Sequence, residues 1–314
     1  MSDSLVLKTP AKVNLFLKIT GKRGDGYHDI ITVMQMVELW DELIIEQSDT
    51  LTVICLNNDA LSGEENLIYK AALKLKEYSG IKSGAKIILN KVIPVGAGLG
   101  GGSSDAAAAL YGLNKLWGTG FSNERLSSIG SELGSDVPFF LNWPAAIGCG
   151  RGDELIPLSY TEELWFLLVN PGIHISTAWA YNQFSLYHSA NILPDSAFDN
   201  LWIGPFSGAR FELTNDGERI KIPLPEGIKK DGDKIWLSPF NDFEEVMTKK
   251  HPVIENIKEK MVAGGAMCSL MSGSGSTVFG IFRDKSNAER VFMLLQDNGW
   301  NSWVVKSLHR PPYS

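Results

Sequence analysis

The stretch PVGAGLGGGSSDAAAAL at residues 94–110 joins a glycine-rich loop to an alanine-rich segment. Five of the seven residues from 96 to 102 are glycine, and Ser103 and Ser104 follow them. Glycine tolerates positive φ and leaves backbone N–H groups unshielded, so such a loop can surround an anion. Alanine is the strongest helix former, which predicts a helix over 105–117 whose N-terminus adds partial positive charge. We therefore predict a phosphate-binding loop, with the two serines as helix caps or as ligands of a phosphate or a magnesium ion.

Three known phosphate-binding motifs match this stretch only in part. The G-x-G-x-x-G pattern of dinucleotide sites fits residues 96–101, but that site also needs an acidic residue about 20 positions further on. Residues 112–123 contain no Asp or Glu. A Walker A loop needs a lysine where Gly102 stands, and the glycine loop of protein kinases joins two strands instead of opening a helix. A flexible linker is disfavoured because Pro94 precedes the loop and a strong helix follows it. An NAD-dependent oxidoreductase is disfavoured as well, because the acidic residue that a dinucleotide site requires is missing.

Composition limits the classes of protein to which this chain can belong. Its 314 residues are 44% apolar and 21% charged, which is ordinary for a globular protein with about two domains. The net charge of −7 disfavours a nucleic-acid partner, because such proteins usually carry a basic face. Cys55, Cys149 and Cys268 match no metal-binding spacing and no disulfide framework. The N-terminal segment lacks the features of a secretory signal, and no apolar run is long enough to span a membrane. We therefore expect a protein without a membrane partner that is cytoplasmic, or matured inside an organelle after removal of a targeting segment.

The order of the predicted elements favours an α+β fold with two lobes. Residues 4–60 are mostly strand-like, and helices and strands then mix without strict βαβ alternation. The pattern restarts after about residue 158, so we assign a first lobe to 1–158 and a second lobe to 159–314. Residues 200–238 are irregular and contain several prolines, and we interpret them as an insertion.

Three stretches of the chain resemble the GHMP kinases, a superfamily of small-molecule kinases. KTPAKVNLFLKI (8–19) is similar to their N-terminal strand motif, the loop at 94–104 to their ATP-binding motif, and MSGSGSTVFGIF (271–282) to their C-terminal glycine motif. The resemblance implies a ribosomal protein S5 domain 2-like N-terminal lobe and an α/β C-terminal lobe. It also implies ATP with Mg²⁺ as the co-substrate and no tightly bound cofactor, and it leaves the metal ligands unassigned.

Two further motifs resemble one branch of this superfamily. RGDGYH at 23–28 is the discriminating signature, and GSDVPFF at 134–140 supports it. Enzymes of this branch phosphorylate the 2-hydroxyl of a CDP-linked methylerythritol in the methylerythritol phosphate route to isoprenoids. The resemblance therefore implies an ATP-dependent kinase whose partners are two small molecules. The alternatives are another GHMP kinase, of the homoserine or mevalonate type, and a non-catalytic ligand-binding member. Intact Lys12 and Asp136 argue against the latter.

The resemblance also implies catalytic roles for Asp136 and Lys12. Asp136 would be the general base that takes the proton from the substrate hydroxyl, although the residues alone are equally consistent with a helix cap. Lys12 would neutralise the transferring phosphoryl group, and its alternative is an outward, solvated lysine. Asn14 lies two residues after Lys12 in a predicted strand and so shares its face.

The remaining predicted site residues divide between the nucleotide and the substrate. For the substrate, we expect a cytosine to stack on Tyr27, to be read at its edge by His28, and to be covered by Tyr181 or its rival Trp179. Asn66 is also consistent with a helix cap. The predicted substrate-binding residues are Asn14, Tyr27, His28, Asp136 and Tyr181. The predicted ATP-binding residues are Asn66, Lys91, Pro94, Val95, Gly96, Ala97, Gly98, Leu99, Gly100, Gly101, Gly102, Ser103 and Ser104.

Overall fold

The computed structural model describes residues 4–158, 163–190, 211–214, 228–231 and 234–313. The elements of its first part are β1 Leu5–Lys22, β2 His28–Ser48, β3 Thr52–Cys55, α1 Leu67–Ser79, β4 Gly84–Asn90, α2 Gly101–Leu116, α3 Asn123–Ser131, α4 Val137–Asn142, β5 Ala145–Cys149 and β6 Glu154–Pro157. Those of its second part are β7 Trp165–Asn170, α5 Thr177–Ala190, β8 Phe211–Thr214, β9 Ile228–Asp231, β10 Lys234–Leu237, β11 Phe240–Asn241, α6 Glu244–Lys250, α7 Pro252–Ala263, β12 Cys268–Met271, β13 Val278–Phe282, α8 Lys285–Leu295 and β14 Asn301–Lys306.

The described strands form two main sheets and one small sheet. The first sheet has the order β11-β1-β2-β4-β3, and β5 and β6 extend it from β2. The second sheet is antiparallel with the order β12-β13-β7-β14. The strands β8, β10 and β9 form the small sheet. The predicted α+β class is confirmed. The predicted insertion at 200–238 lies largely outside the described residues, which include only short strands of it.

The first sheet is buried on both faces because each face packs on a different layer. Helices α1 to α4 pack on one face, where Leu43 and Ile45 of β2 meet Leu110 of α2 in one apolar cluster. The other face packs on the second sheet, where Val13 of β1 and Phe166 of β7 share a second cluster. Residues 9–17 of β1 are therefore all buried, which is more than the alternation in the sequence predicts.

The two parts of the chain are joined by more than the covalent connection after β6. Strand β11 pairs in parallel with β1, with Phe16 opposite Phe240. The C-terminal tail also returns to the first sheet, where the Leu308 backbone N–H donates to the Met36 carbonyl at 2.9 Å. The later half thus contributes one strand and a tail to the first sheet. The division at 158/159 stays a prediction.

Helix α2 begins four residues earlier than the sequence predicts. Gly100 occupies the N-cap position with a φ of 70°, and Gly101 and Gly102 already belong to the helix. Only glycine adopts this left-handed conformation without strain, so the chain turns directly from the loop into the helix. Ser103 and Ser104 lie inside the first turn, and the prediction that they cap the helix is wrong.

The other helix boundaries follow local capping signals. Asn66 accepts a hydrogen bond from the Ile68 backbone N–H at 2.9 Å and caps α1, and left-handed Gly80 ends that helix. Ser122 caps α3 by accepting a hydrogen bond from the Arg125 backbone N–H. Pro252 separates α6 from α7, because proline is favoured in a first turn and breaks a helix interior. No helix among the described ranges is both long and apolar enough to cross a membrane.

A substitution at Gly112 tests the packing of α2 on the first sheet. A Cβ atom on Gly112 would lie 2.5 Å from Ile45 Cδ1 and 2.9 Å from Leu7 Cδ1. We therefore expect Gly112→Val to lower the free energy of unfolding by about 1–3 kcal/mol in urea titrations. Gly102→Ala is the matched control, because that position in the same helix is open. Equal stability of the two variants would contradict this packing.

Candidate active site

A cavity of about 1160 Å³ lies between the glycine loop, the start of β2 and helix α5. Every predicted site residue except Ser104 lines it. Ser104 is fully buried, which keeps its hydroxyl away from the cavity, so the structure does not support a direct phosphate contact there. The cavity has the volume of a small-molecule site, and its lining comes from both parts of the chain.

The glycine loop is shaped by alternating left-handed residues. Gly96, Gly98 and Gly100 have φ values of 61°, 78° and 70°. A Cβ atom on Gly98 would overlap the Ser272 carbonyl oxygen. Glycine at position 98 therefore permits a close backbone approach as well as the turn. The helix N-terminus that follows is a ready site for a phosphate group.

The second glycine-rich segment, residues 272–277, holds the first one in place. Ser272 Oγ donates a hydrogen bond to the Gly98 carbonyl at 2.8 Å, and the Thr277 backbone N–H donates to the Ala97 carbonyl at 3.2 Å. The Lys12 backbone N–H donates to the Leu99 carbonyl at 2.9 Å from the other side. The loop is therefore braced by β1 and by the C-terminal motif, which leaves its remaining groups to face the cavity.

Asp136 and Lys12 meet at the floor of the cavity. Lys12 Nζ lies 3.5 Å from Asp136 Oδ2 and donates to Asn14 Oδ1 at 2.5 Å. Asn14 Nδ2 donates in turn to Thr32 Oγ1 at 2.8 Å, which fixes the amide orientation. Asp136 occupies the N-cap position of α4 but makes no capping hydrogen bond. The helix-cap alternative is therefore not realised, and the carboxylate remains available for proton transfer.

The cavity also contains aromatic side chains from both parts of the chain. The His28 ring stacks on Tyr181 with centroids 4.8 Å apart and an interplanar angle of 18°. His28 Nε2 also lies 2.8 Å from Ser185 Oγ, one helical turn after Tyr181. Partial burial, together with the charge of Lys22, lowers the pKa of His28 below its ordinary value. A neutral imidazole offers one donor and one acceptor, as reading a base edge requires.

Tyr27 and Trp179 differ in their relation to the cavity. Tyr27 lines the cavity and is 58% exposed, so its ring can accept a stacking partner. The Arg151 guanidinium lies 5.3 Å from its ring centroid. Trp179 is not among the lining residues and faces His251 and Lys250 instead. The placement therefore favours Tyr181 over Trp179.

Asn66 and Lys91 line the cavity, but other contacts already engage their polar groups. The Asn66 side chain caps α1 and donates to the Leu61 carbonyl at 2.6 Å. Lys91 Nζ donates to Asp105 Oδ2 at 2.8 Å and to Asp41 Oδ2. Their contacts with ATP stay predictions, and the lysine contact must compete with two buried carboxylates.

Sequence reasoning missed several polar residues that line the cavity. Arg151 and Ser185 carry no motif signal, because their neighbours in the site come from distant parts of the chain. Thr177 and Ser274 also line it, with their hydroxyl oxygens 3.2 Å apart. Lys22 could have been found from the sequence, because it immediately precedes the RGDGYH signature. In the structure it lies opposite His28 in the pairing of β1 with β2.

Two stretches of the chain match models of known protein families. Residues 66–142 match the GHMP kinases N terminal domain, and residues 228–293 match the GHMP kinases C terminal model. Two relatives named 4-diphosphocytidyl-2-C-methyl-D-erythritol kinase are from Thermodesulfovibrio yellowstonii and Geobacter metallireducens. They are 40% and 41% identical to this chain over 308 and 304 residues. The alignments cover 98% and 96% of this chain and 99% and 97% of the relatives.

Solved structures agree with these matches. A crystal structure of 4-(cytidine 5'-diphospho)-2C-methyl-D-erythritol kinase is 30% identical with a TM-score of 0.72, covering 96% of this chain and 99% of its own. Homoserine kinase from Cytophaga hutchinsonii, 18% identical with a TM-score of 0.66, shares the fold and covers 100% of this chain and 97% of its own. The chain therefore belongs to the GHMP kinases, and within them to the 4-diphosphocytidyl-2-C-methyl-D-erythritol kinase family.

A substitution at Gly98 tests whether the braced loop binds nucleotide. A methyl group there collides with the Ser272 carbonyl and strains a left-handed φ. We expect Gly98→Ala to weaken binding of a non-hydrolysable ATP analogue by about tenfold or more in calorimetry, because the loop must shift from its phosphate-binding shape. Gly120→Ala is the matched control, since Gly120 has a φ of 69° with open space around it. Unchanged affinity in Gly98→Ala would mean that the loop is only a connector.

Proposed function

We propose that this protein transfers the γ-phosphoryl group of ATP to the 2-hydroxyl of 4-diphosphocytidyl-2-C-methyl-D-erythritol. The single observation that carries the proposal is the Lys12–Asp136 pair, which lies in one cavity with the glycine loop and the Tyr27–His28–Tyr181 group. One part of this cavity suits phosphates and another suits a nucleobase. The reacting groups lie on its wall, as a kinase acting on a nucleotide-linked alcohol requires.

Asp136 acts as the general base in the proposed reaction. Its carboxylate accepts the proton of the substrate hydroxyl while that oxygen attacks the γ-phosphorus of ATP. The bond from the γ-phosphorus to the bridging oxygen then breaks, and ADP leaves. Lys12 Nζ lies 3.5 Å from Asp136 Oδ2, and its positive charge stabilises the phosphoryl group during transfer. Asn14 holds the Lys12 ammonium in place. Such catalysis consists mainly of positioning and electrostatic stabilisation.

Magnesium is proposed to accompany the phosphates of ATP. The described residues include no group of three or more His, Cys, Asp or Glu side chains that could hold an ion by themselves. Magnesium in kinases is commonly held by one or two protein oxygens together with substrate phosphates. Ser103 lines the cavity in the first turn of α2, and its hydroxyl oxygen would supply one such ligand. When bound, the ion would neutralise phosphate charge.

The cytidine end of the substrate is proposed to bind at the aromatic group. Tyr27 supplies an exposed ring face, and Tyr181 supplies a buried one beside His28. A base stacked on an aromatic side chain gains about 1–3 kcal/mol. Lys22 and Arg151 line the same region and would balance the diphosphate charge. In this proposal, residues 1–158 supply the ATP-binding loop and the general base Asp136, and residues 159–314 complete the substrate-binding wall.

Replacing Asp136 by Asn tests the assignment of the general base. The amide keeps the shape of the carboxylate but cannot take the proton. We expect kcat to fall by about 10²–10⁴ with KM little changed. Asp297→Asn is the control, because that residue is exposed and lies outside the cavity lining. Turnover within a few-fold of the wild type would remove Asp136 from this role.

Replacing His28 by Ala tests recognition of cytosine. We expect KM for the CDP-linked substrate to rise about tenfold or more, with KM for ATP nearly unchanged, since the variant loses the hydrogen bond to the cytosine edge and the ring that packs on Tyr181. Exposed His309→Ala is the matched control. The wild type is expected to prefer cytidine to a uridine analogue, because the exchange of an amine for a carbonyl reverses one hydrogen bond. Equal use of both bases would contradict the cytosine assignment.

A further inference from the structure

Lys91 lines the cavity from the short connection between β4 and the glycine loop, yet its ammonium is held by two carboxylates. Its side chain is 8% exposed, and its ammonium contacts two carboxylates that are almost fully buried. Nζ donates to Asp105 Oδ2 at 2.8 Å and also to Asp41 Oδ2. A lysine is seldom buried in this way unless it is paired, so the contact has a specific structural consequence.

The two carboxylates connect several of the segments around the loop. Asp41 of β2 accepts hydrogen bonds from the backbone N–H groups of Val92 and Ile93 at 2.5 and 2.8 Å, just before the loop. Asp105 of α2 accepts from Thr9 Oγ1 of β1 at 2.7 Å. Lys91 joins the two carboxylates. The cluster therefore connects β1, β2, the approach to the loop and the first turns of α2.

The ammonium of this cluster lies directly behind the phosphate-binding end of α2. A Cβ atom on Gly101, the first residue of the helix, would lie 2.7 Å from Lys91 Nζ and 2.9 Å from Ile93 Cγ2. Gly101 therefore packs on the lysine without a side chain between them. Any movement of the ammonium would be transmitted to the backbone N–H groups that face the cavity.

We propose that Lys91 is a positioning residue, which fixes Gly101 and the N-terminus of α2 for the phosphates of ATP through its contacts with Asp41 and Asp105. It does so from behind the loop and is not itself a phosphate ligand. The inference rests on the proposed use of ATP, and it assigns a different role to Lys91 from the one that the sequence suggests.

The charge balance of the cluster makes the two roles distinguishable. One ammonium faces two carboxylates, and burial, opposed by Lys91 but reinforced by Asp41, raises the pKa of Asp105 to about 6. Asp105→Asn keeps the shape of the side chain, and Asp41 still balances the charge of the ammonium, so the variant is expected to fold. The same change replaces the ion pair between Lys91 and Asp105 by a weaker hydrogen bond to an amide oxygen, while leaving the ammonium in place.

The test measures binding of a non-hydrolysable ATP analogue by calorimetry in Lys91→Met, Asp105→Asn and the double variant. A positioning role predicts that each single variant weakens binding by about tenfold, the scale of one lost charge-assisted hydrogen bond. It also predicts that the double variant is no weaker than Lys91→Met, because both changes break the same contact. Calorimetry with CDP should give unchanged affinity in all three variants, which a general loss of structure would not allow.

A direct phosphate contact predicts the opposite sign for one variant. In that case Asp105→Asn would free the ammonium and leave binding of the analogue equal or tighter, while Lys91→Met would weaken it. That pattern would overturn the proposal. Unchanged binding in Lys91→Met would overturn it as well. Lys115→Met, near the end of the same helix, is the matched control and should bind like the wild type. If Lys91→Met does not fold, Asp105→Asn decides alone. Because the analogue is not turned over, these results stand apart from a failure to phosphorylate the cytidine substrate.

Discussion

Close backbone contact between two glycine-rich segments is the constraint on which the site depends. The loop at 96–100 and the segment at 272–277 are distant in sequence, with Ser272 174 positions after Gly98, and carbonyl groups of the first accept hydrogen bonds from the second. This approach is possible because Gly98 has no side chain that would strike the Ser272 carbonyl. Both segments line the cavity, so the same hydrogen bonds that shape the loop also bring together residues from the two parts of the chain.

The protein has a net charge of −7, yet its site must accept two strongly anionic molecules. Individual lysines placed at or beside the cavity supply the positive charge that the protein as a whole lacks. Lys12 faces the cavity beside Asp136, where its charge can act on the transferring group. Lys91 is paired behind the loop, where its charge orders the backbone. Short-range fields in a partly buried cavity are stronger than the field of the exposed surface, which water and salt screen.

Local patterns predicted much of the fold and failed where tertiary contacts override them. The α+β class follows from the order of the strand-like and helical segments. The start of α2 does not, because glycine has a poor helix propensity, and the helix begins there only because Gly100 takes the left-handed N-cap conformation and Gly101 packs directly on Lys91 and Ile93. The burial of β1 on both faces also exceeded its sequence pattern, because the second sheet covers the face that alternation leaves to solvent.

The sequence by itself determined the kind of chemistry, since the order and spacing of the glycine motifs and of the RGDGYH signature are local and need no long-range contact to be recognised. Only the tertiary structure decided which side chains meet. It brought Tyr181 into the cavity and left Trp179 outside, although both lie on α5 two residues apart. It placed Ser185 beside His28 across 157 positions of sequence. A helix turns by about 100° per residue, so its side chains face different partners, and those partners are set by packing between distant segments.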